Sequence, residues 1–278
     1  AVENHQQAQS LAEKAHGANH PEVALSYHRI GKVCHEQGDY VTAIAYHERA
    51  VRIWLEALGS SHPLIAAAYH GTGAAYAGRG AYGRAITNYE AALEIWLKSY
   101  GENHPVTATC YNNLGAALDK DKRTEEAIPY LEKALATRIK AFGPEHPEVA
   151  SCYNNLGAAL DNKGDYDEAI AYHGKALKIW LKTFGSDHPA VATTYNNGAV
   201  AYSRKGEYDK AVDYYEKCLA IELKTLGPEH PDVAITYNNL GSIYIDKKEY
   251  GKAVGYFEKD LAIMLKILGP EDLSIATS

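Results

Sequence analysis

No apolar run in the 278-residue sequence approaches the roughly 20 residues that a membrane helix needs. No charged, then apolar, then small-residue leader opens it. Met264 is the only methionine and the chain starts at Ala1, so it reads as a piece of something longer. Positive charge is in deficit. The 28 lysines and arginines stand against 35 acids, a formal net charge of -7, which gives no basis for a nucleic-acid or anionic-membrane partner. Catalytic signatures are missing as well: there is no GxxxxGKS/T, no HExxH and no GxSxG, and nothing pairs a nucleophile with a base. "GTGAAYAG" at 71–78 has the glycines of a dinucleotide loop, but it lies inside a helical pattern and follows no strand. Neither catalysis nor a cofactor is expected. Cysteine is scarce too, and Cys34, Cys110, Cys152 and Cys218 contain no CxxC pair.

What is present is one interval, used throughout. His-Pro occurs at 20–21, 62–63, 104–105, 146–147, 188–189 and 230–231, always 42 residues apart. A fixed period of that size marks a solenoid of stacked supersecondary units. Proline suits the first position of a helix, where its missing N–H costs nothing, and an acid often follows it (Glu22, Glu148, Asp232), as the positive helix end favours. Each helix runs to a turn such as "KGDY" or "KGEY". A second helix follows, and "DEAIAYHGKALKIWLKTF" ends at Gly185, a glycine cap. The spacing therefore predicts an all-α chain of helix–turn–helix units at 20–61, 62–103, 104–145, 146–187, 188–229 and 230–271. Residues 1–19 read as the second helix of a preceding unit. Residues 272–278 read as the start of a following one, with Asp272 and Leu273 where His-Pro would stand.

The same ruler disposes of two chemical readings. Six of the 13 histidines are the His-Pro residues, one per unit. Stacked helices stand roughly 10 Å apart, whereas zinc ligands sit ~2 Å from one ion, so these histidines are helix-entry residues and no metal is expected. Cys110 and Cys152 share a slot in neighbouring units, too far apart for a disulfide. The cysteines read as small buried groups in a reducing compartment, hence the cytoplasm.

Within 146–187 the pattern is Tyr153, Leu156, Gly157 and Leu160, then Ala169, His173 and Ala176. This resembles the tetratricopeptide repeat, whose small residues let two helices pack closely. With "YNNLG…GDYDEAI" and "HP.VA" at a 42-residue period, the chain is most similar to the repeats of kinesin light chains and nephrocystin-type relatives. The resemblance covers essentially the whole chain. It implies a right-handed α-solenoid whose first helices line a concave groove for short extended peptides, often a tryptophan flanked by acids. The implied function is cargo or adaptor recognition, through a protein or peptide partner. Two other classes fit the same fold: the sensor or scaffold part of a multidomain signalling ATPase, and a structural array that self-associates end to end.

Four near-copies, "YNNLGAALD" at 111–119 and 153–161, "YNNGAVAYS" at 195–203 and "YNNLGSIYI" at 237–245, carry paired asparagines. On a helical wheel Tyr153, Leu156, Gly157 and Leu160 fall within about 100° of one another, and Asn155 lies roughly 150° from their centre. The opposite stripe is Ser151, Asn155, Ala158 and Asn162. Its equivalents are Thr109, Asn113, Ala116 and Lys120, then Thr193, Asn197, Val200 and Arg204, then Ile235, Asn239, Ser242 and Asp246. Small and amide-bearing, this stripe suits a surface that something else covers. An amide both donates and accepts, matching an extended peptide's backbone. The resemblance carries the peptide-gripping role to Asn113, Asn155, Asn197 and Asn239, and it fails where Arg29 and Gly71 hold the slot. For the first asparagine of each pair (Asn112, Asn154, Asn196, Asn238) a structural tie between repeats is expected. For the second, ligand contact is. Asn162 and Ser242 lie on the same stripe, and Arg29, Lys32, Lys120 and Arg204 would favour acidic ligands, diluted by Glu36 and Asp246.

The 22 tyrosines read as core, because base stacking would need a basic groove. Trp54, Trp96 and Trp180 share a slot with Arg138, Glu222 and Met264, so edge packing is expected there. Gly198 replaces a core leucine and implies loose packing. Pro129 removes one hydrogen bond early in a second helix. Asp260, where the other five repeats have Ala or Cys, must be hydrated, paired or protonated, and could splay the last repeat.

Overall fold

The computed structural model describes residues 17–268. The expected leading helix at 1–19 lies almost entirely outside those residues, and the partial unit at 272–278 wholly so. Among the described residues there are twelve helices and no strand. They fall into two compact units divided after Pro144. Unit 1 holds α1 (Pro21–Glu36), α2 (Tyr40–Leu58), α3 (Pro63–Gly78), α4 (Tyr82–Tyr100), α5 (Pro105–Lys120) and α6 (Thr124–Phe142). Unit 2 holds α7 (Pro147–Lys163), α8 (Tyr166–Phe184), α9 (Pro189–Arg204), α10 (Tyr208–Thr225), α11 (Pro231–Asp246) and α12 (Tyr250–Leu268). Within each unit every helix packs on the next, the all-α solenoid arrangement. No described helix is long and apolar enough to cross a membrane.

The His-Pro pair has a physical job at each helix start. The proline occupies the first turn, and the unprotonated Nδ1 of the histidine accepts the N–H two residues on. The six contacts, from Glu22, Leu64, Val106, Glu148, Ala190 and Asp232, measure 3.1–3.3 Å. The imidazole thus takes the part usually played by Ser or Asp at an N-cap. At the other end of α8, Gly185 has φ +80° and its N–H returns to Leu181 O at 3.2 Å. The turn between first and second helix also needs positive φ. Gly164 and Gly206 supply it, while Lys122 (φ 63°) and Lys248 (φ 61°) adopt it at the equivalent positions, at roughly 1–2 kcal/mol each.

Close helix approach rests on glycines. A Cβ on Gly115 would come within 2.7 Å of Leu131 Cγ and 3.1 Å of the backbone oxygen of Ala127. That oxygen cannot rotate away, so Gly115→Val is expected to cost about 1–3 kcal/mol by forcing α5 from α6. Gly174 is the control. It is mid-helix and exposed, and a Cβ there meets nothing within 4 Å, so Gly174→Ala should gain about 0.5–1 kcal/mol. Urea midpoints followed by circular dichroism test both. Equal shifts for the two variants would remove close approach as the reason for Gly115.

The departures from the repeat pattern resolve individually. Gly198 does not leave loose packing. The Tyr214 ring moves into the vacated space, where a Cβ on Gly198 would meet it at 2.8 Å. Tyr214 accordingly stands edge-on to Tyr195 (86°) and Tyr202 (73°), whereas the equivalent Tyr153–Tyr172 pair stacks at 29°. Pro129 lies on the exposed side of an uninterrupted α6. Asp260 is half-buried and paired, its Oδ2 accepting from Asn238 Nδ2 at 3.1 Å. The tryptophan slot is not an edge. Trp54 is 0% exposed, Trp96 5% and Trp180 8%, and even Arg138 is 3% exposed, donating from Nη2 to Thr109 Oγ1 at 3.2 Å. At Trp180 the slot is closed because the next first helix packs over it, the indole clustering with Val191 and Ala192 of α9.

Candidate functional site

Two adjacent slots follow the tyrosine of each first helix. The first holds His28, His70, Asn112, Asn154, Asn196 and Asn238, and the second holds Arg29, Gly71, Asn113, Asn155, Asn197 and Asn239. A single-helix wheel sends the second slot away from the core. In the structure Asn113, Asn155, Asn197 and Asn239 are all half-buried. For Asn113 and Asn197 the reason is the preceding repeat of the same unit, which packs on that flank and which no wheel contains. Gly71 shows how close it comes, since a Cβ there would meet His47 Nε2 at 2.7 Å.

At Asn113 and Asn197 the side chain reaches back. Asn113 Nδ2 lies 2.9 Å from His70 Nε2, and Asn197 Nδ2 donates to Asn154 Oδ1 at 3.3 Å. Both amides also accept on Oδ1 from the first asparagine of their own pair, Asn112 at 3.3 Å and Asn196 at 3.4 Å. Asn154 ties two repeats, its Oδ1 accepting from Asn197 as well as from His173 of its own repeat. Asn113 and Asn197 of the second slot share in such ties, while Asn238 bonds within its own repeat to Asp260. Asn113 and Asn197 each direct the NH2 toward the preceding repeat of their own unit. Each retains one N–H and one oxygen lone pair beyond these contacts. Asn239 makes no hydrogen bond among the described residues.

The basic candidates divide by unit. Arg29 and Lys32 on α1 and Lys120 on α5 are exposed and form no ion pair among the described residues. In unit 2, Arg204 Nη1 donates to Asp161 Oδ2 at 2.7 Å and to Asn162 Oδ1 at 3.0 Å. That contact brings two candidates, Arg204 and Asn162, together and neutralises the cation with a buried carboxylate. Asp161 itself escaped the sequence reading. The signal was the aspartate closing "YNNLGAALD" in two repeats, both copies 6% exposed. Ser242 is exposed, its Oγ donating to Asn238 O at 3.0 Å.

Behind this row sit imidazoles, of which the repeat pattern marks only His173. His28 Nδ1 and His47 Nδ1 are 3.2 Å apart, and burial holds His47 down to about 3, helped by the neighbouring His28, His35, His70 and Lys32. Burial likewise holds His28 to about 4, with Lys32 and Arg29 adding, and His70 to about 4, with His28 adding. His173, 1% exposed, is held at about 4 by burial alone. In α10, burial raises the Glu222 carboxyl against hydrogen bonds from Thr236 Oγ1 at 2.8 Å and Cys218 Sγ at 3.3 Å. All four cysteines are buried free thiols, and burial pushes Cys110 up to about 12, far from a reactive thiolate. Among the described residues no three His, Cys, Asp or Glu side chains converge as a metal set.

The tetratricopeptide repeat family model matches at residues 1–56, 27–94, 64–140, 116–169, 162–223 and 199–266. No curated protein sequence matches the chain. Among solved structures, BtubC (BKLC) from P. vanneervenii is similar at 23% identity and a TM-score of 0.66, over 81% of this chain and 91% of that one. A Podosopora anserina protein described as a kinesin light chain with nearly identical TPR-like repeats is 27% identical, with a TM-score of 0.61 over 74% of this chain and 98% of that one. The Cut9–Hcn1 complex of the APC/C has a TM-score of 0.69 at 21% identity, over 94% of this chain but 43% of that one. The chain belongs to the tetratricopeptide repeat family, a scaffold of protein–protein interaction.

Proposed function

We propose that the chain binds a short extended peptide along the face of its first helices, as a cytoplasmic cargo or adaptor module of the kinesin-light-chain type. The observation that carries this reading is the way each unit fixes an amide of its row, NH2 toward the preceding repeat. Asn113 and Asn197 are held by the preceding repeat and by their own neighbour, with one donor and one acceptor still available on each. Fixed amides lose little freedom when a peptide backbone arrives, so their hydrogen bonds translate into affinity. The flanking positions are small: Ala67, Gly71, Ala74 and Gly78 on α3, and Thr109 and Ala116 on α5. The second helices differ sharply, their exposed sides carrying charge pairs such as Lys98–Glu94 and Lys217–Asp213. In unit 1 the unpaired Arg29, Lys32 and Lys120 favour acidic side chains. In unit 2, Arg204 is already neutralised, and the row reads backbone alone.

The test uses a labelled short peptide selected from a display library against the whole chain, with binding followed by fluorescence anisotropy. Asn239→Ala removes only ligand contacts and should weaken binding about threefold to tenfold, the equivalent of roughly 0.5–1.5 kcal/mol. Thermal stability should be unchanged. Arg29→Ala combined with Lys32→Ala should weaken binding of acidic peptides and flatten its salt dependence. If both variants stay folded and bind as the parent does, the peptide does not lie on this face.

A further inference from the structure

The geometry points to His173 as a positioning residue for the amide row, an inference that rests on the peptide-binding reading above. Asn154 Oδ1 receives two hydrogen bonds: from His173 Nδ1 at 3.1 Å and from Asn197 Nδ2 at 3.3 Å. For Asn154 oxygen to be the acceptor, His173 must carry its proton on Nδ1. Its Nε2 is then an unprotonated nitrogen, buried and without a hydrogen-bond partner. A buried polar atom left unsatisfied is costly, so the ring is held in this orientation by what the other nitrogen gains. The environment removes alternatives. The ring is 1% exposed and lies against Gly157, where a Cβ would meet its Cε1 at 2.8 Å.

His173 thus acts at a distance, through one side chain. It holds Asn154 oxygen-first, and Asn154 in turn draws the NH2 of Asn197 toward α7. Asn196 Nδ2 secures the Asn197 oxygen from the other side. Without the imidazole donor, the Asn154 amide gains no more from presenting its oxygen to Asn197 than from presenting its NH2. In the second case two NH2 groups would face each other, and Asn197 would turn over. The rung that meets the peptide would then offer its donor and acceptor in exchanged positions.

The same chain supplies its own natural controls. The slot of His173 is His47, Tyr89, Leu131, Tyr215 and Phe257 in the other five repeats. Leu131 packs there against Gly115, so leucine is compatible with folding at this position. His173 hydrogen-bonds to an asparagine in the first slot, whereas His47 meets a second histidine, His28, in the same place. In the seam of α3 and α5 the part is played directly, His70 Nε2 accepting from Asn113.

The experiment compares His173→Leu and His173→Asn in the whole chain. In the free protein, the side-chain NH2 resonances of Asn154 and Asn197 are read by NMR. They should move in His173→Leu, and return toward parent values in His173→Asn, whose amide nitrogen takes the place of the imidazole Nδ1 and can donate to Asn154. Affinity for the display-selected peptide should fall threefold or more in His173→Leu and recover in His173→Asn. A packing role alone would move the melting temperature without moving those amide signals, or would show no rescue by asparagine, and either result overturns the assignment. Loss of affinity in Asn197→Ala, with none in His173→Leu, would also overturn it while leaving the peptide-binding face intact. If Asn197→Ala, Asn239→Ala and His173→Leu are all folded and all bind like the parent, the fault lies in the face itself.

Discussion

Trp54→Ala is expected to destabilise unit 1 by about 3–5 kcal/mol, the cost of emptying a fully enclosed indole site. Trp54 is 0% exposed, and its Nε1–H donates to Pro21 O at 3.2 Å, fastening the end of α2 to the first turn of α1. Its ring also stands 5.8 Å from that of His28, so the site joins both helices of the repeat. Truncation loses the apolar burial and the indole's hydrogen bond to Pro21 O. Trp54→Met, the residue at the equivalent Met264, should cost much less, because a flexible thioether fills part of the space. In a chain of stacked repeats the damage stays near its source. Hydrogen exchange should therefore show lost protection in α1–α3 and unchanged protection in α9–α12. A loss under about 1 kcal/mol would restore the edge position that the mixed occupancy of the slot suggests.

The mixed occupancy misleads for a physical reason. A slot that accepts Trp, Arg, Glu and Met looks open when each residue is judged by its own polarity. Each polar occupant, however, brings its own partner: Arg138 takes Thr109, and Glu222 takes Thr236 and Cys218. Thr109 and Thr236 lie on first helices, so the information is spread over two helices. The helical elements are far more legible. Proline at the helix start, glycine at the helix end and the packed tyrosine–leucine–glycine face are local devices, and local chemistry explains them. Gly198 shows the limit. Its missing leucine is plain in the sequence, but the ring that compensates, Tyr214, lies 16 residues on and stands edge-on to its neighbours.

The asparagine row divides along the same line. Its existence and spacing are visible from the repeated text alone. Its partners are not, because Asn197 meets Asn154 across 43 residues and Asn113 meets His70 across the same interval. One helical wheel holds one helix. The half-burial of Asn113 and Asn197 belongs to the seam between repeats.

Acidification should destabilise the protein before its carboxylates begin to titrate, and unit 1 should fail first. An unfolded histidine takes up its proton near 6.5, whereas the folded protein holds His47 at about 3 and His28, His70 and His173 at about 4. The folded values are depressed, so below 6.5 the unfolded chain binds protons that the folded chain refuses, and stability falls with pH. It is fully present above about 6.5 and drains continuously down to the folded values near 3–4. For His47 and His173, both enclosed, the loss between pH 7.5 and 5 is on the order of 1–2 kcal/mol each. Unit 1 has three such rings within mutual reach, and unit 2 has His173 as its only described histidine with a lowered value. Unit 2 also has a term of opposite sign. The Glu222 carboxyl is raised by burial, so its folded form binds a proton more readily than the unfolded one and recovers stability as pH falls. Urea midpoints at pH 7.5, 6 and 5, with hydrogen exchange to separate the units, should show α1–α4 losing protection at a higher pH than α9–α12. His47→Leu, which copies the natural occupant Leu131 of the same slot, should flatten the dependence in unit 1 across that window. A midpoint constant from pH 7.5 to 5 would mean that water reaches these imidazoles, and that they are not enclosed.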